Sequence, residues 1–221
     1  MENTNTPRTR KTILSIVAAG ITAAAITVPV LTTSASAAPV ASAEAVVETR
    51  IPEPTPTAAE QQIIDWALGL FEDAGLELPE VEIGIYDTKD ACDGNKGTYR
   101  PQPTGPAKVR VCDWHEKETL RDAWRRKTLV HELAHAWAHE NLDDEHEHEL
   151  VEHRGLDNWN DRDAAWETRG TEHAAEIITW GIIDQRMRVD SRIEGTSVEE
   201  LTEAYELLTG MAPTNGPVVN G

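Results

Sequence analysis

His131-Glu132-Leu133-Ala134-His135 constrains this chain more than any other stretch, because it fixes a conformation and a chemistry together. Residues four apart on an α-helix share a face, so His131 and His135 can each present a ring nitrogen to one ion while Glu132 reaches a water on that ion. The same segment carries a core-facing stripe. Val130, Leu133, Ala134 and Trp137 fall at i, i+3, i+4, i+7, with Leu129 beside them. The histidine pair lies roughly a third of a turn from the centre of that stripe. One face is thus free to anchor in a core while the other lines a cleft. The competing reading, two histidines merely paired with nearby carboxylates, leaves the coincidence of helix and spacing to chance.

A catalytic zinc takes three protein ligands and leaves its fourth position to water. An H-E-x-x-H-x-x-G-x-x-H extension fails here, since Ala138 stands at the Gly position and Asn141 at the third His. His139 continues the face, but its Cα lies about 12 Å along the axis from that of His131, too far to share an ion. It reads as a surface histidine near the helix end. The remaining common solution is a glutamate from a later helix, and Glu172-His173-Ala174-Ala175-Glu176 supplies one. Glu172 and Glu176 share a face about 6 Å apart along the axis, so spacing leaves open which of them approaches the ion. His173, rotated about 100° from Glu172, coordinates only if this helix docks differently.

With these residues in place, the chain resembles the gluzincin type of zinc metallopeptidase, in which H-E-x-x-H is followed by a helix carrying E-x-x-x-D or a close variant. The resemblance runs roughly from Trp124 to Gly181. It includes Trp166-Glu167-Thr168-Arg169-Gly170-Thr171 ahead of Glu172, similar to small secreted actinobacterial proteins. It implies one Zn²⁺ per chain held by His131, His135 and Glu172. Glu176, standing where Asp is more usual, becomes the acid that hydrogen-bonds a ligating histidine. The implied activity is hydrolysis of a peptide or protein substrate, with Glu132 as general base. The same metal chemistry serves a zinc amidase acting on cell-wall peptide amides. A secreted binding domain that keeps zinc without turnover is the alternative from another class; Glu132 argues against it, because a closed structural site has no use for a base. His153, Arg169, His173 and Tyr99 are chemically able to stabilise an oxyanion.

The amino terminus reads as a targeting segment. Arg8, Arg10 and Lys11 precede an apolar, Ala-rich run from Thr12 to Leu31, and Ala35-Ser36-Ala37 gives a cleavage pattern, so residues 1–37 are expected to be a signal peptide. An uncleaved anchor is the alternative, disfavoured by the small residues straight after the run. The expected product is secreted, with no stable membrane association after cleavage. Cys92 and Cys112, the only two cysteines, are best read in an oxidising compartment as one disulfide. They lack the C-x-x-C spacing of a metal site. A formal net charge of −19 repels nucleic acid and anionic membrane.

Residues 38–56, rich in Ala, Pro, Glu and Val, read as a flexible linker or short propeptide. Residues 57–212 then form one domain, and 213–221 a loose tail. Thr57-Ala58-Ala59-Glu60 is a capping box opening a helix that runs to Gly75. Val81 to Ile85, Thr98 to Arg100 and Lys108 to Cys112 read as strands, separated by turn residues. Glu116 to Glu140 is expected as one or two helical pieces carrying the metal motif. Asp143 to Glu152, with His146 and His148, reads as a solvated connecting segment, and Asp157 to Asp161 as a turn without the glycine of a calcium loop. A second metal helix is expected from Thr171 towards Met187, and Ser197-Val198-Glu199-Glu200 caps a last helix ending at Gly210. The expected class is α+β: a mainly helical, minimal zincin-like domain with a small sheet before the H-E-x-x-H helix.

Overall fold

Thr57 opens α1 (Ala58–Asp73) with the expected capping box: its hydroxyl accepts from the Glu60 N–H at 3.3 Å, and the Glu60 carboxylate accepts from the Thr57 N–H at 2.8 Å. The computed structural model describes residues 53–112, 118–183, 189–190 and 192–214, and the expected signal peptide lies outside them. Ile63, Ile64, Ala67 and Phe71 of α1 are buried. Three strands follow, β1 (Val81–Tyr86), β2 (Gly97–Arg100) and β3 (Ala107–Cys112). β3 is central, parallel to β1 and antiparallel to β2, so β2 forms an edge. The architecture is α+β, with five α-helices and this small sheet among the described residues.

Cys92, at the end of a short turn after β1, is joined to Cys112 at the end of β3. The bond closes a loop with a sequence separation of 20; on the chain-entropy model such a loop stabilises by about 3 kcal/mol. It also holds the start of β2, where the Cys112 N–H donates to the Lys96 carbonyl at 2.7 Å.

α2 (Glu118–Asn141) is one continuous helix, and its expected stripe is the centre of the core: Leu129, Val130, Leu133 and Ala134 are fully buried. α4 (Gly170–Ile182) lies against it and is more apolar, with Ala174, Ala175, Ile177 and Ile178 fully buried. α5 (Val198–Thr209) then covers α4 with Leu201, Ala204, Tyr205 and Leu208. A Cβ at Gly181 would fall 2.2 Å from two ring carbons of Tyr205, so only glycine lets that ring lie on α4.

Three expectations need correction. The acidic stretch after α2 is a helix, α3 (Asp144–His153). The Asp143 side chain caps it by accepting from the His146 N–H at 3.1 Å, acids fill its first turn, and one apolar side chain, Leu150, is fully buried. α4 stops at Ile182, with Ile183 already extended at ψ 147°, and the expected stretch from 184 to Met187 lies outside the described residues. The linker, finally, is not loose to its end. Glu53 docks on the sheet, accepting from Arg110 Nη2 at 2.7 Å and Nε at 3.1 Å, from Lys108 Nζ at 3.3 Å and from the Tyr86 hydroxyl. Among the described residues no helix is long and apolar enough to cross a membrane.

Burial pushes the Glu53 carboxyl up, but Arg110, Tyr86 and Lys108 outweigh it and hold the group below its ordinary value. A depressed carboxylate stabilises the fold above its unfolded pKa, and that contribution fades as pH falls through the folded pKa. Glu53→Gln is expected to lower unfolding free energy by about 1–3 kcal/mol at pH 7. Urea melts should show the difference from wild type shrinking in acid; a difference independent of pH would remove the charge from the explanation.

Candidate metal centre

α2 and α4 pack so that one donor atom from each of three side chains meets at a point. His131 Nε2 lies 3.1 Å from His135 Nε2, and Glu172 Oε2 lies 3.2 Å from each of them. A tetrahedral ion with bonds of 2.0–2.1 Å separates its ligand atoms by about 3.3–3.4 Å. The triangle thus accepts such an ion with shifts of a few tenths of an ångström. Hydrogen bonds alone cannot close this ring of three, because the carboxylate oxygen only accepts. These three residues form the group that could hold a metal among the described residues. The cysteines take no part, being joined to each other.

The second acid of α4 lies beside one of these imidazoles. Glu176 Oε1 lies 3.1 Å from His131 Nδ1, close in distance though off the linear hydrogen-bond direction. A proton kept on Nδ1 leaves the Nε2 lone pair for the ion. The other oxygen, Oε2, accepts from Lys127 Nζ at 3.1 Å and from the Asp190 N–H at 2.9 Å. The extra methylene of Glu over Asp is accommodated by these additional donors.

Asp190 extends this into a ring of contacts. Its carboxylate takes Arg192 Nε at 2.9 Å and Nη2 at 3.0 Å; the Arg192 guanidinium lies 4.4 Å from the centre of Trp166; and Trp166 stacks on His131 with centroids 6.1 Å apart. His131 is therefore held on its edge by Glu176 and on its face by an indole.

The charges want a cation. Burial draws the His131 imidazole down, but Glu172 and Glu176, with Glu132 behind them, carry it up to about 10, so a proton stands in when no ion is bound. Burial likewise raises Glu176, yet His131, Lys127 and the Asp190 amide bring it down to about 2. Glu172 is depressed in the same way by the two histidines. Glu132 differs: burial dominates and lifts it above its ordinary value, although the Tyr99 backbone amide donates to it.

β2 lies directly over this carboxylate. A Cβ on Gly97 would sit 2.6 Å from Glu132 Oε1 and 2.7 Å from Thr128 Cγ2, so the missing side chain is what lets strand and helix approach. A cleft of about 1350 Å³ runs past Gly97, Tyr99, His131, Glu132, His135 and Glu172. Of the oxyanion candidates, Tyr99 lines it. Arg169 lines it too, but its guanidinium is spent on the carbonyls of Arg162 and Ala164. His173 turns into the structure, donating from Nε2 to the Glu167 carbonyl at 2.9 Å and accepting at Nδ1 from Arg154 at 3.4 Å. His153 closes α3 and is not among the residues lining the cleft. His139 is exposed at its rim, its ring 5.8 Å from that of Tyr99.

Lys127 was legible but overlooked, since it stands four residues before His131 on the same face. Gly97, Trp166, Asp190 and Arg192 arrive from loops and an edge strand, where no spacing rule applies. Comparison with protein-family models, curated proteins and solved structures returns no match, so the chemistry of this site rests on its own geometry.

Competitive chelator titrations should separate the two acids. Glu172→Ala is expected to abolish stoichiometric metal binding, and Glu176→Ala to weaken affinity by about 10- to 100-fold. The reverse ranking would exchange their roles.

Proposed function

We propose that this chain is a secreted, zinc-dependent peptidase of the gluzincin type that hydrolyses peptide bonds. The observation that carries the reading is the pairing of a three-donor triangle with a carboxylate that does not belong to it. Glu132 follows His131 directly on α2, lines the same cleft and is not part of the donor set. A closed structural site would need a fourth donor and no base. Zinc fits the mixed nitrogen and oxygen donors; when bound, it supplies an acidified water and a Lewis acid for the scissile carbonyl.

The residues of this chain supply the rest. Glu132 takes a proton on its carboxylate and passes it to the leaving amine, a role that suits a carboxyl raised by burial above its ordinary value. The Tyr99 amide fixes that carboxylate, and Gly97 gives it room. His131 and His135 orient the ion, with Glu176 steadying His131. The outer edge of β2 offers main-chain groups beside Glu132 to which an extended peptide can add as a strand. Export is supported by the Cys92–Cys112 disulfide, which belongs to an oxidising compartment.

The test is a purified, zinc-loaded protein assayed against a peptide mixture read by mass spectrometry, beside Glu132→Gln. The variant is expected to keep one zinc and lose nearly all cleavage; loss of zinc together with activity would make Glu132 a ligand instead of a base. Gly97→Ala should keep the metal but cut kcat by about a hundredfold, because its methyl displaces the base by about an ångström. Unchanged kcat in that variant would mean that the position of Glu132 does not limit the reaction.

A further inference from the structure

The chain carries a formal net charge of −19, yet its cleft is lined by a basic excess. Six of the 20 Lys and Arg residues line it, namely Lys89, Lys96, Lys127, Arg162, Arg169 and Arg192, against five of the 39 Asp and Glu residues, counted among those described. The five acids are committed. Glu132, Glu172 and Glu176 belong to the metal centre, Asp190 holds Arg192, and Glu147 accepts from the Trp159 indole. A divalent ion adds two more positive charges at the middle. With such an ion the lining carries a positive formal charge while the chain as a whole is negative, and cleft walls of low dielectric focus such a charge.

Within the cleft, geometry singles out Arg192. Its guanidinium lies 4.4 Å over Trp166, one indole away from the ligating ring of His131. Asp190 grips Nε and Nη2, which leaves Nη1 outside the fork, and the side chain is 50% exposed. A guanidinium fixed on one edge by a carboxylate and on its face by an indole has already lost the rotamer freedom that a long side chain otherwise loses on binding. Lys96, 4.8 Å over the Trp124 ring, and Lys127 stand behind it: Lys96 feels the charges of Arg192, Lys127, Asp190 and Glu176 together. Glu167 also faces Arg192 from the turn before α4. Both lysines are engaged within the cluster, and what they add is field.

We propose that this cluster is a carboxylate subsite: the chain acts on peptides bearing a carboxylate near the scissile bond, and Arg192, backed by Lys96 and Lys127, binds that group. The proposal rests on the peptidase reading for its reaction, but not for its binding. An acidic side chain and a free peptide C-terminus present the same planar anion to a guanidinium.

The experiment uses zinc-loaded Glu132→Gln protein and three alanine-based hexapeptides, read by calorimetry. One is blocked at both ends with a central Glu, one is its Gln counterpart, and one is the Gln peptide with a free C-terminus. The Glu peptide or the free-acid peptide, or both, should bind about tenfold or more tighter than the blocked Gln peptide, as for a charged hydrogen bond. Whichever gains identifies the source of the carboxylate. The advantage should shrink between 50 mM and 500 mM salt, where the Debye length falls well below 10 Å. Arg192→Gln and Lys96→Gln, placed in the same background, should each bring the ratio towards one with zinc stoichiometry retained. Equal affinity for all three peptides overturns the subsite, as does a preference untouched by both substitutions. Wild-type turnover separates the two readings. Preferential binding without cleavage overturns the peptidase and leaves the subsite standing, whereas cleavage with no preference for the carboxylate in binding does the opposite.

Discussion

Three carboxylates, Glu132, Glu172 and Glu176, are carried into largely buried positions around two imidazoles, and the rest of the structure answers to that concentration of negative charge. Buried anions are costly unless paired and hydrogen-bonded. Each has a different solution. Glu176 collects a lysine, a backbone amide and a histidine edge; Glu172 takes two imidazoles; Glu132 meets one amide from the edge strand and retains a raised pKa. Only the third has its carboxyl held above its ordinary value, and it is the one beside the donor triangle. The opposite directions of their shifts follow from how many partners each acid finds.

That arrangement needs a stiff frame, because a shift of a few tenths of an ångström is comparable with the tolerance of the donor triangle. The frame is the pair α2 and α4, whose residues Leu129, Leu133, Ala134, Ala174, Ala175 and Ile178 are fully buried in one core. α5 backs α4 through the ring-on-glycine contact of Tyr205 and Gly181. The disulfide does the equivalent for the other wall, tying the start of β2 to the end of β3.

Much of this was legible in the chain. The stripe on α2, the two capping boxes and the alternation in the strands are local patterns with one physical solution each, and they appear where expected. The pair Cys92 and Cys112 is joined, and His131 and His135, set by their i, i+4 spacing, converge with Glu172, the acid that the resemblance and not the spacing singled out. What escaped depends on tertiary placement. α3 has too few apolar residues to announce itself and is held by one cap and one leucine; the ring through Asp190, Arg192 and Trp166 joins a loop to a turn; and Gly97 matters because of what lies above it, which no neighbouring residue encodes.

Glu53 has a bearing on where the amino-terminal side of this fold could be cut. Its carboxylate is the counter-ion of Arg110 and a neighbour of Lys108, both on the central strand, and a Cβ at Gly84 would collide with it. A trimming protease that cut on the carboxyl side of Glu53 would leave two basic side chains on that strand without their shared acid and an empty slot above Gly84. The amino-terminal limit of a well-formed product is therefore set by an ion pair and not by the first helical residue, and any processing site compatible with this fold lies upstream of it.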